Sequence, residues 1–238
     1  MSGAGSRGLV TPPSVDNARS QPRPVLAYVL RDALYLNVTS ACTLACTFCP
    51  KVRDGDFRLA GYDLRLTHPP SVDDVWSAAL EAGLEARTEV VFTGFGEATR
   101  RLDVVLELTR RLKADGVRRV RLDTDGLASL REGRDVPPLL ASAGLDAVSV
   151  SLNAADAETY ARICPSRYGA AAHEAVKAFI RCAAACVPDV AASAVALPEI
   201  SEAACRALAE DLGARFRWRP YDRIGRLPAE RVLAPTER

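Results

Sequence analysis

The sequence predicts an α/β fold in which six β/α units build one curved, mainly parallel β-sheet. Two observations predict it. Strand-like and helix-like segments alternate along most of the 238 residues, a length that suits one domain. The strand-like segments also have one apolar and one polar face; along residues 146–153, Val148 and Val150 alternate with Ser149 and Ser151. Strands covered on both faces read as continuous apolar runs, so the alternation favours helices on the outer face only and a polar concave side.

The two ends of the chain show no periodicity. Residues 1–24 are rich in Gly, Ser, Pro and Arg and are predicted to be a disordered tail; one domain is expected over residues 25–220, and an irregular tail over residues 221–238. The predicted strands are Val25–Leu30, Ala33–Thr39, Glu89–Thr93, Arg118–Thr124, Asp146–Leu152, Val190–Ala196 and Ala214–Arg219. The predicted helices are Ser71–Glu85, Arg101–Ala114, Val136–Ala143, Ala155–Val187 with a break near Pro165, and Ser201–Leu212.

Short local signals set the boundaries of these elements. Arg31-Asp32 separates the first two strands and predicts either a short hairpin or two consecutive strands. Ser71, followed by two aspartates, is the predicted N-cap of the first helix, and Asp115-Gly116 ends the second helix. Residues 51–70 read as a long polar connection, and long connections in compact domains are often functional.

Composition excludes several classes of protein. A net charge of +1 and a pI near 7.6 provide no overall attraction to nucleic acid or to an anionic membrane. No apolar run reaches the length of a membrane span, and the start of the chain lacks a signal segment. Seven cysteines, three of them clustered, argue for a reducing compartment rather than a disulfide framework, so a cytoplasmic location is expected.

The most informative stretch holds Cys42, Cys46 and Cys49 directly after an apolar strand. Soft thiolates at such short separations can bind one soft metal centre. A cubane with four irons leaves one iron free when only three cysteines bind it. A structural zinc site usually needs a fourth ligand, and the two histidines, His68 and His173, lie far off in the sequence.

This run, including the aromatic Phe48, resembles the cluster motif of the radical S-adenosylmethionine (SAM) superfamily. The resemblance implies a 4Fe–4S cluster on Cys42, Cys46 and Cys49, with SAM on the remaining iron. Reductive cleavage of SAM would give a 5′-deoxyadenosyl radical that abstracts hydrogen from a small-molecule substrate, and the electron would come from an external flavodoxin- or ferredoxin-like reductant. It also implies a partial (β/α)6 TIM-like barrel of the radical SAM type, with the chemistry at the C-terminal ends of the strands.

Residues 94–97 follow the next predicted strand as Gly94, Phe95, Gly96 and Glu97. Glycines allow close approach of backbone to a ligand, and the carboxylate is an acceptor for an ammonium group. The segment resembles the Gly-Gly-Glu-Pro motif that holds the SAM amino group, with Phe95 in place of a glycine and Ala98 in place of the proline. An ordinary turn between strand and helix is the alternative.

Further SAM contacts are expected at the ends of later strands. Asp123 and Thr124 resemble part of a Thr-Asn-Gly segment of these enzymes, whose asparagine is replaced here by Asp125; a simple Asp-Gly turn is the alternative. The other candidates for SAM binding are Ser149, Ser151, Asn153 and, against adenine, Leu197.

Substrate contacts are predicted on the last strand and in the long connection. Arg215, Arg217 and Arg219 alternate with two aromatic residues, and guanidinium groups facing a cavity would suit a carboxylate or phosphate. A solvated edge strand is the alternative. Tyr62 lies in a segment that is a candidate cover of the site. The predicted substrate-binding residues are therefore Tyr62, Arg217 and Arg219.

From about Ala27 to Tyr221, the chain resembles the TatD-associated radical SAM proteins. The residues that carry it are Leu34–Thr39, Gly61–Leu64, Val91–Glu97, Arg101–Leu106 and Asp146–Ala154. This resemblance implies little about the substrate.

Other functions remain as alternatives. A glycyl-radical-enzyme activase would tend to carry an Asp-Leu-Lys run where this chain has Ser149–Asn153, and a ring-contracting enzyme would need a Gln-Gly-Glu-Gly segment near the start. A non-catalytic iron–sulfur electron carrier and a zinc-stabilised binding module are the non-enzymatic alternatives. The other cysteines are predicted to be free thiols, with a second cluster as the alternative: Cys164, Cys182, Cys186 and Cys205.

Overall fold

The computed structural model describes residues 23–221, so both predicted tails lie almost wholly outside the described residues. Its main sheet has seven strands in the order β1-β2-β5-β6-β7-β8-β9. The strands are β1 Ala27–Leu30, β2 Ala33–Leu36, β3 Arg58–Leu59, β4 Tyr62–Asp63, β5 Glu89–Phe92, β6 Arg119–Thr124, β7 Ala147–Ser151, β8 Asp189–Val195 and β9 Arg215–Arg219. The helices are α1 Pro50–Asp54, α2 Val72–Glu81, α3 Leu102–Ala114, α4 Ala128–Glu132, α5 Pro137–Ser142, α6 Ala157–Ile163, α7 Ala171–Ala184 and α8 Glu202–Asp211.

Strand directions confirm the predicted α/β class. β1 and β2 form an antiparallel hairpin, the first of the two predicted arrangements, with Arg31 in the left-handed region at its turn. From β2 to β9 every neighbouring pair in the main sheet is parallel. Each parallel strand thus needs a crossover connection, which the helices supply, and all six carboxyl ends meet at one edge of the sheet.

Helices pack on the outer face, where the apolar side chains of the strands form the core. Ser71 makes a capping box with Asp74 at the start of α2, and Ser201 caps α8. The break predicted near Pro165 separates α6 from α7, because a proline cannot donate the backbone hydrogen bond that a helix needs. Fully buried core residues on the strands include Leu34, Leu36, Phe92, Val120, Leu122 and Val150.

Two segments hold more structure than the sequence predicted. The connection 51–70 contains the end of α1 and the two-residue strands β3 and β4, joined through Ala60 and Gly61, both at positive φ as a tight hairpin turn requires. Helix α4 was not predicted at all. Five residues are too few to show the 3.6-residue period on which a helix prediction depends.

Side chains on the concave face are more buried than expected, since the sequence predicted a polar face open to water or a ligand. Ser149 and Ser193 are 9% and 2% exposed, because the sheet curves around them. Small side chains alternate along β7 and β8 on this face, at Ala147, Ser149, Ser151, Ala191 and Ser193. Small side chains on the inner face suit a strongly curved sheet such as the predicted partial barrel.

Charged side chains cross the concave face at the amino ends of the strands. Arg119 Nε lies 3.0 Å from Glu89 Oε1 and also pairs with Asp189. Arg215 Nε donates to Asp189 Oδ1 at 3.0 Å, which extends the network from β5 to β9. These pairs lie at the end of the sheet opposite the cysteine loop.

No helix within residues 23–221 is long and apolar enough to cross a lipid bilayer.

Candidate functional site

The cysteine loop, residues 40–49, leaves the carboxyl end of β2 and is tied to its neighbours by main-chain bonds. Glu97 N donates to Ala41 O at 2.9 Å. Lys51 Nζ donates to Ser40 O at 2.9 Å and to Phe95 O at 3.0 Å. The loop and the segment Gly94–Glu97 are therefore one packed unit.

Gly96 is where these two segments come closest. A Cβ atom at this position would lie 2.0 Å from Thr39 O and 2.9 Å from Ala41 O, both main-chain atoms. At Gly94 the nearest atom would be the side-chain Oδ1 of Asn37, at 2.8 Å. Gly96 therefore permits a contact between two main chains that any side chain would push apart.

Gly96→Ala is expected to lower the free energy of unfolding by about 3 kcal/mol or more and to displace the cysteine loop, because main chain cannot move aside as a side chain can. Thermal unfolding of the metal-free protein, followed by iron analysis after reconstitution, would measure both effects. Gly94→Ala is the matched control and should cost less, since it meets a side chain. Equal unfolding midpoints for Gly96→Ala and the unaltered protein would contradict this account.

The three clustered cysteines are half-buried, and Cys42 and Cys46 pack against the core. Burial raises the pKa of Cys42 to about 12, and the nearby charges of Asp125 and Glu97 add to the rise. The pKa of Cys46 is raised well above its ordinary value by a hydrogen bond with Cys164 and by burial. Burial also raises the pKa of Cys49. In the metal-free protein these thiols hold their protons, which metal binding must displace.

Within the described part of the chain, no group of three or more His, Cys, Asp and Glu side chains is arranged to hold a metal ion. A four-iron cluster presents each thiolate with an iron of its own, so the sulfurs need not converge on one point. The donor set of three soft thiols on one loop fits such a cluster.

Glu97, the residue predicted to bind the SAM amino group, already has hydrogen bonds to both of its oxygens. Its Oε1 accepts from Thr99 N at 3.0 Å, from Thr99 Oγ1 at 2.6 Å and from Thr124 Oγ1 at 2.8 Å. Its Oε2 accepts from Asp125 N at 2.7 Å. Thr124 lies on the face of β6 that packs against the helices. The hydrogen bond between Thr124 and Glu97 therefore stabilises the fold at this point.

Asp125, unlike Glu97, has a carboxylate oxygen without a hydrogen-bond partner among the described residues. It is 5% exposed, and its Oδ1 accepts from Leu127 N at 2.9 Å. Its Oδ2 is buried with no partner at hydrogen-bonding distance among residues 23–221, although the Thr43 side chain lies near enough to favour the ionised form. Burial and the charge of Glu97 raise the pKa of Asp125 to about 8. A cationic ligand would offset both effects.

The predicted substrate residues lie beside opposite edge strands of the sheet, with Tyr62 against β1 and Arg217 and Arg219 on β9. Asp123 pairs with Arg121; burial raises its pKa, while the charges of Arg121, Arg219 and Arg217 lower it. The register of β9 against β8 places Arg217 and Arg219 on the concave side, and both side chains are exposed. Their role in binding a substrate stays a prediction. The ring of Tyr62 lies 5.3 Å from that of Tyr28, whose pKa is raised mainly by burial and also by Asp123.

The remaining predicted residues lie around the carboxyl edge with differing roles. Asn153 Nδ2 donates one hydrogen to Cys164 Sγ at 3.2 Å. Phe95 packs edge-on against Phe57, with ring centroids 5.9 Å apart. The others on the concave face or against the core are Phe48, Ser149, Ser151 and Leu197.

Three residues near the site were missed as functional candidates. Arg131, on α4, donates to Thr99 Oγ1 at 3.0 Å and to Thr43 Oγ1 at 3.4 Å, which joins the Glu97 segment to the cysteine loop. Tyr160 is fully buried, and its hydroxyl has no partner within the described chain. Cys164 lies 3.5 Å from Cys46, sulfur to sulfur. No local pattern distinguishes any of them, since each acts across a long sequence separation.

Comparison with known protein families identifies the family of this chain. A family model described as "Radical SAM superfamily" matches residues 36–212. The chain belongs to the radical SAM superfamily. The cofactors of this family are a 4Fe–4S cluster and SAM, as predicted, and the partial barrel is confirmed. The TatD-associated subgroup stays a prediction.

Among curated proteins, this radical SAM chain is similar to GTP 3′,8-cyclases. A probable GTP 3′,8-cyclase of Methanothermobacter marburgensis is 32% identical over 136 residues, which cover 57% of this chain and 40% of the relative. The GTP 3′,8-cyclase of Lactiplantibacillus plantarum is 31% identical over 135 residues, covering 56% and 37%. The chain spans about two fifths of the length of these relatives.

Solved structures show the same fold. The FeFe-hydrogenase maturase HydG from Carboxydothermus hydrogenoformans superposes with a TM-score of 0.59 at 14% identity, covering 80% of this chain and 44% of that one. A radical SAM methyltransferase from Sphaerobacter thermophilus gives a TM-score of 0.55 at 20% identity, covering 86% and 62%. At these identities the likeness establishes the fold alone.

Proposed function

We propose that this protein is a radical SAM enzyme in which Cys42, Cys46 and Cys49 bind a 4Fe–4S cluster and SAM binds the fourth iron. The observation that carries the proposal is the packing of the cysteine loop against Gly94–Glu97, beside a buried and unpartnered oxygen of Asp125. When bound, the cluster and SAM supply a 5′-deoxyadenosyl radical that abstracts hydrogen from the substrate.

Asp125 is the proposed acceptor of the SAM ammonium group. A buried carboxylate oxygen without a partner is costly, and a charged donor would satisfy it. Glu97 acts through Asp125, because its Oε2 holds Asp125 N at 2.7 Å. Gly94 and Gly96 let this segment pack closely against β2 and the cysteine loop. Ser149, Ser151 and Leu197 are proposed to contact the remainder of SAM.

Arg217, Arg219 and Tyr62 are the proposed contacts to the substrate. The two guanidinium groups face the concave side near Asp123 and would favour a carboxylate or phosphate. The similarity to GTP 3′,8-cyclases makes GTP the first substrate to test, since a triphosphate needs cationic partners. We also propose an external one-electron reductant of the flavodoxin or ferredoxin kind.

The test is anaerobic reconstitution with iron and sulfide, followed by addition of dithionite and SAM. We expect four irons and four sulfides per chain and formation of 5′-deoxyadenosine. A second set of reactions includes GTP, and faster nucleoside formation there would support an anionic nucleotide substrate. A cluster without nucleoside formation would instead favour an electron carrier, and bound zinc without sulfide would favour a binding module.

A further inference from the structure

The cysteine loop is paired along its main chain with the loop that follows α6. Ala45 N donates to Pro165 O at 2.8 Å, and Thr47 N donates to Ile163 O at 2.9 Å. These two bonds bracket Cys46 on one side and Cys164 on the other, so the two side chains lie opposite each other. Their sulfur atoms are 3.5 Å apart, within hydrogen-bonding distance for thiols.

Cys164 is held in place by a second polar contact. Asn153 Nδ2 donates to Cys164 Sγ at 3.2 Å, and Asn153 N in turn donates to Ser193 O at 3.0 Å. Cys164 is 1% exposed, so water does not compete for its sulfur. A hydrogen-bonded chain therefore runs from Asn153 through Cys164 to Cys46. In the metal-free protein the Cys46 thiol is the donor and the Cys164 sulfur accepts. Once Cys46 loses its proton, only the Cys164 thiol can donate between these two sulfurs.

Tyr160, one helical turn before Cys164, supports the view that this side of the loop faces a bound group. Its hydroxyl is fully buried, and it has no partner among the residues described. Burial raises its pKa, and the ionisable side chains near enough to add to this effect are Cys164, Asp125, Cys46 and Cys42. The sulfurs of a bound cluster would give this hydroxyl the acceptor that it lacks.

We propose that Cys164 is a positioning residue that donates a hydrogen bond from its thiol to the Cys46 thiolate and thereby raises the reduction potential of the cluster. The proposal rests on the proposed function, because Cys46 must be a ligand. A ligand thiolate has no proton, so Cys164 must be the donor in this pair. Reduction adds negative charge that spreads onto the ligand sulfurs, and a hydrogen bond to one of them stabilises the reduced cluster more than the oxidised one.

The test compares the reconstituted protein with Cys164→Ala, Cys164→Ser and Cys205→Ala by equilibrium redox titration, with electron paramagnetic resonance as the readout and no SAM present. Iron and sulfide are counted for each variant. We expect the same cluster content throughout, a more negative potential for Cys164→Ala, and partial recovery in Cys164→Ser, whose hydroxyl can also donate. Cys205 is the matched control, since it is equally buried and lies on α8.

Equal potentials for Cys164→Ala and the unaltered protein would overturn the proposal. Loss of iron from both Cys164 variants would also overturn it, because Cys164 would then be a ligand or a residue needed for folding; far-ultraviolet circular dichroism separates these two causes. Failure of the unaltered protein to bind a cluster would instead refute the proposed function itself. The two failures are therefore distinguished before any variant is compared.

Discussion

Cys46→Ala is expected to abolish both cluster binding and formation of 5′-deoxyadenosine. Three thiolates leave one iron for SAM, and loss of one leaves two protein ligands and no defined site. Anaerobic reconstitution with iron and sulfide analysis measures the first effect, and chromatography of the nucleoside measures the second. The Cys164 sulfur lies 3.5 Å from that of Cys46, close enough to replace the missing ligand, so the double variant Cys46→Ala/Cys164→Ala should be tested in parallel.

Cys182→Ala is the control for this experiment. Cys182 lies on α7, outside the cysteine loop, and its loss should leave cluster content and nucleoside formation unchanged. Cys42→Ala and Cys49→Ala should behave as Cys46→Ala does. Nucleoside formation at the original rate by the double variant would overturn the assignment of the cluster ligands.

Asp125→Asn is expected to weaken SAM binding to the reconstituted protein by about 10- to 100-fold. A hydrogen bond between charged groups contributes about 1.5–3 kcal/mol, and each 1.4 kcal/mol is about a tenfold change in affinity. Equilibrium dialysis with labelled SAM measures the effect. Asp115→Asn, at an exposed position after α3, is the matched control.

Glu97→Gln tests whether Glu97 or Asp125 accepts the SAM ammonium group. Glutamine keeps one acceptor oxygen, so it can preserve either the Oε1 bonds from Thr99 and Thr124 or the Oε2 bond from Asp125 N, but not both. Its NH2 group then faces a donor, so the main expected effect is a lower melting temperature. If Asp125→Asn binds SAM as tightly as the unaltered protein while Glu97→Gln loses binding without losing stability, Glu97 is the ammonium acceptor and our assignment is wrong.

The raised pKa of Asp125 also predicts how stability depends on pH. Its pKa rises from 3.8 to about 8 on folding, so the folded state keeps a proton that the unfolded state loses. The free energy of unfolding of the metal-free protein should therefore fall as the pH rises from about 4 to about 8, by up to about 1.4 kcal/mol per pH unit. Melting temperatures across this range should decline less in Asp125→Asn. Parallel curves for the two proteins would show that Asp125 does not titrate in this way.

Local patterns in the sequence determined most of the fold. Strand and helix periods predicted the six β/α units, and Pro165 predicted the break between α6 and α7. The spacing of Cys42, Cys46 and Cys49 and the segment Gly94–Glu97 predicted the family. These features could be read because their residues are close in sequence, where periodicity, turn chemistry and ligand spacing act directly.

Tertiary structure alone decided which polar groups around the loop are free and which are already bonded. Only the packing of β6 on the Glu97 segment shows that both oxygens of Glu97 already accept hydrogen bonds and that Asp125 holds an oxygen with no partner among residues 23–221. Only the folded chain places Cys164 against Cys46, across 118 residues of sequence. Such contacts depend on how parallel strands and their loops meet at one edge of the sheet, and a hydrogen-bond donor carries no local mark of the distant acceptor that it will find.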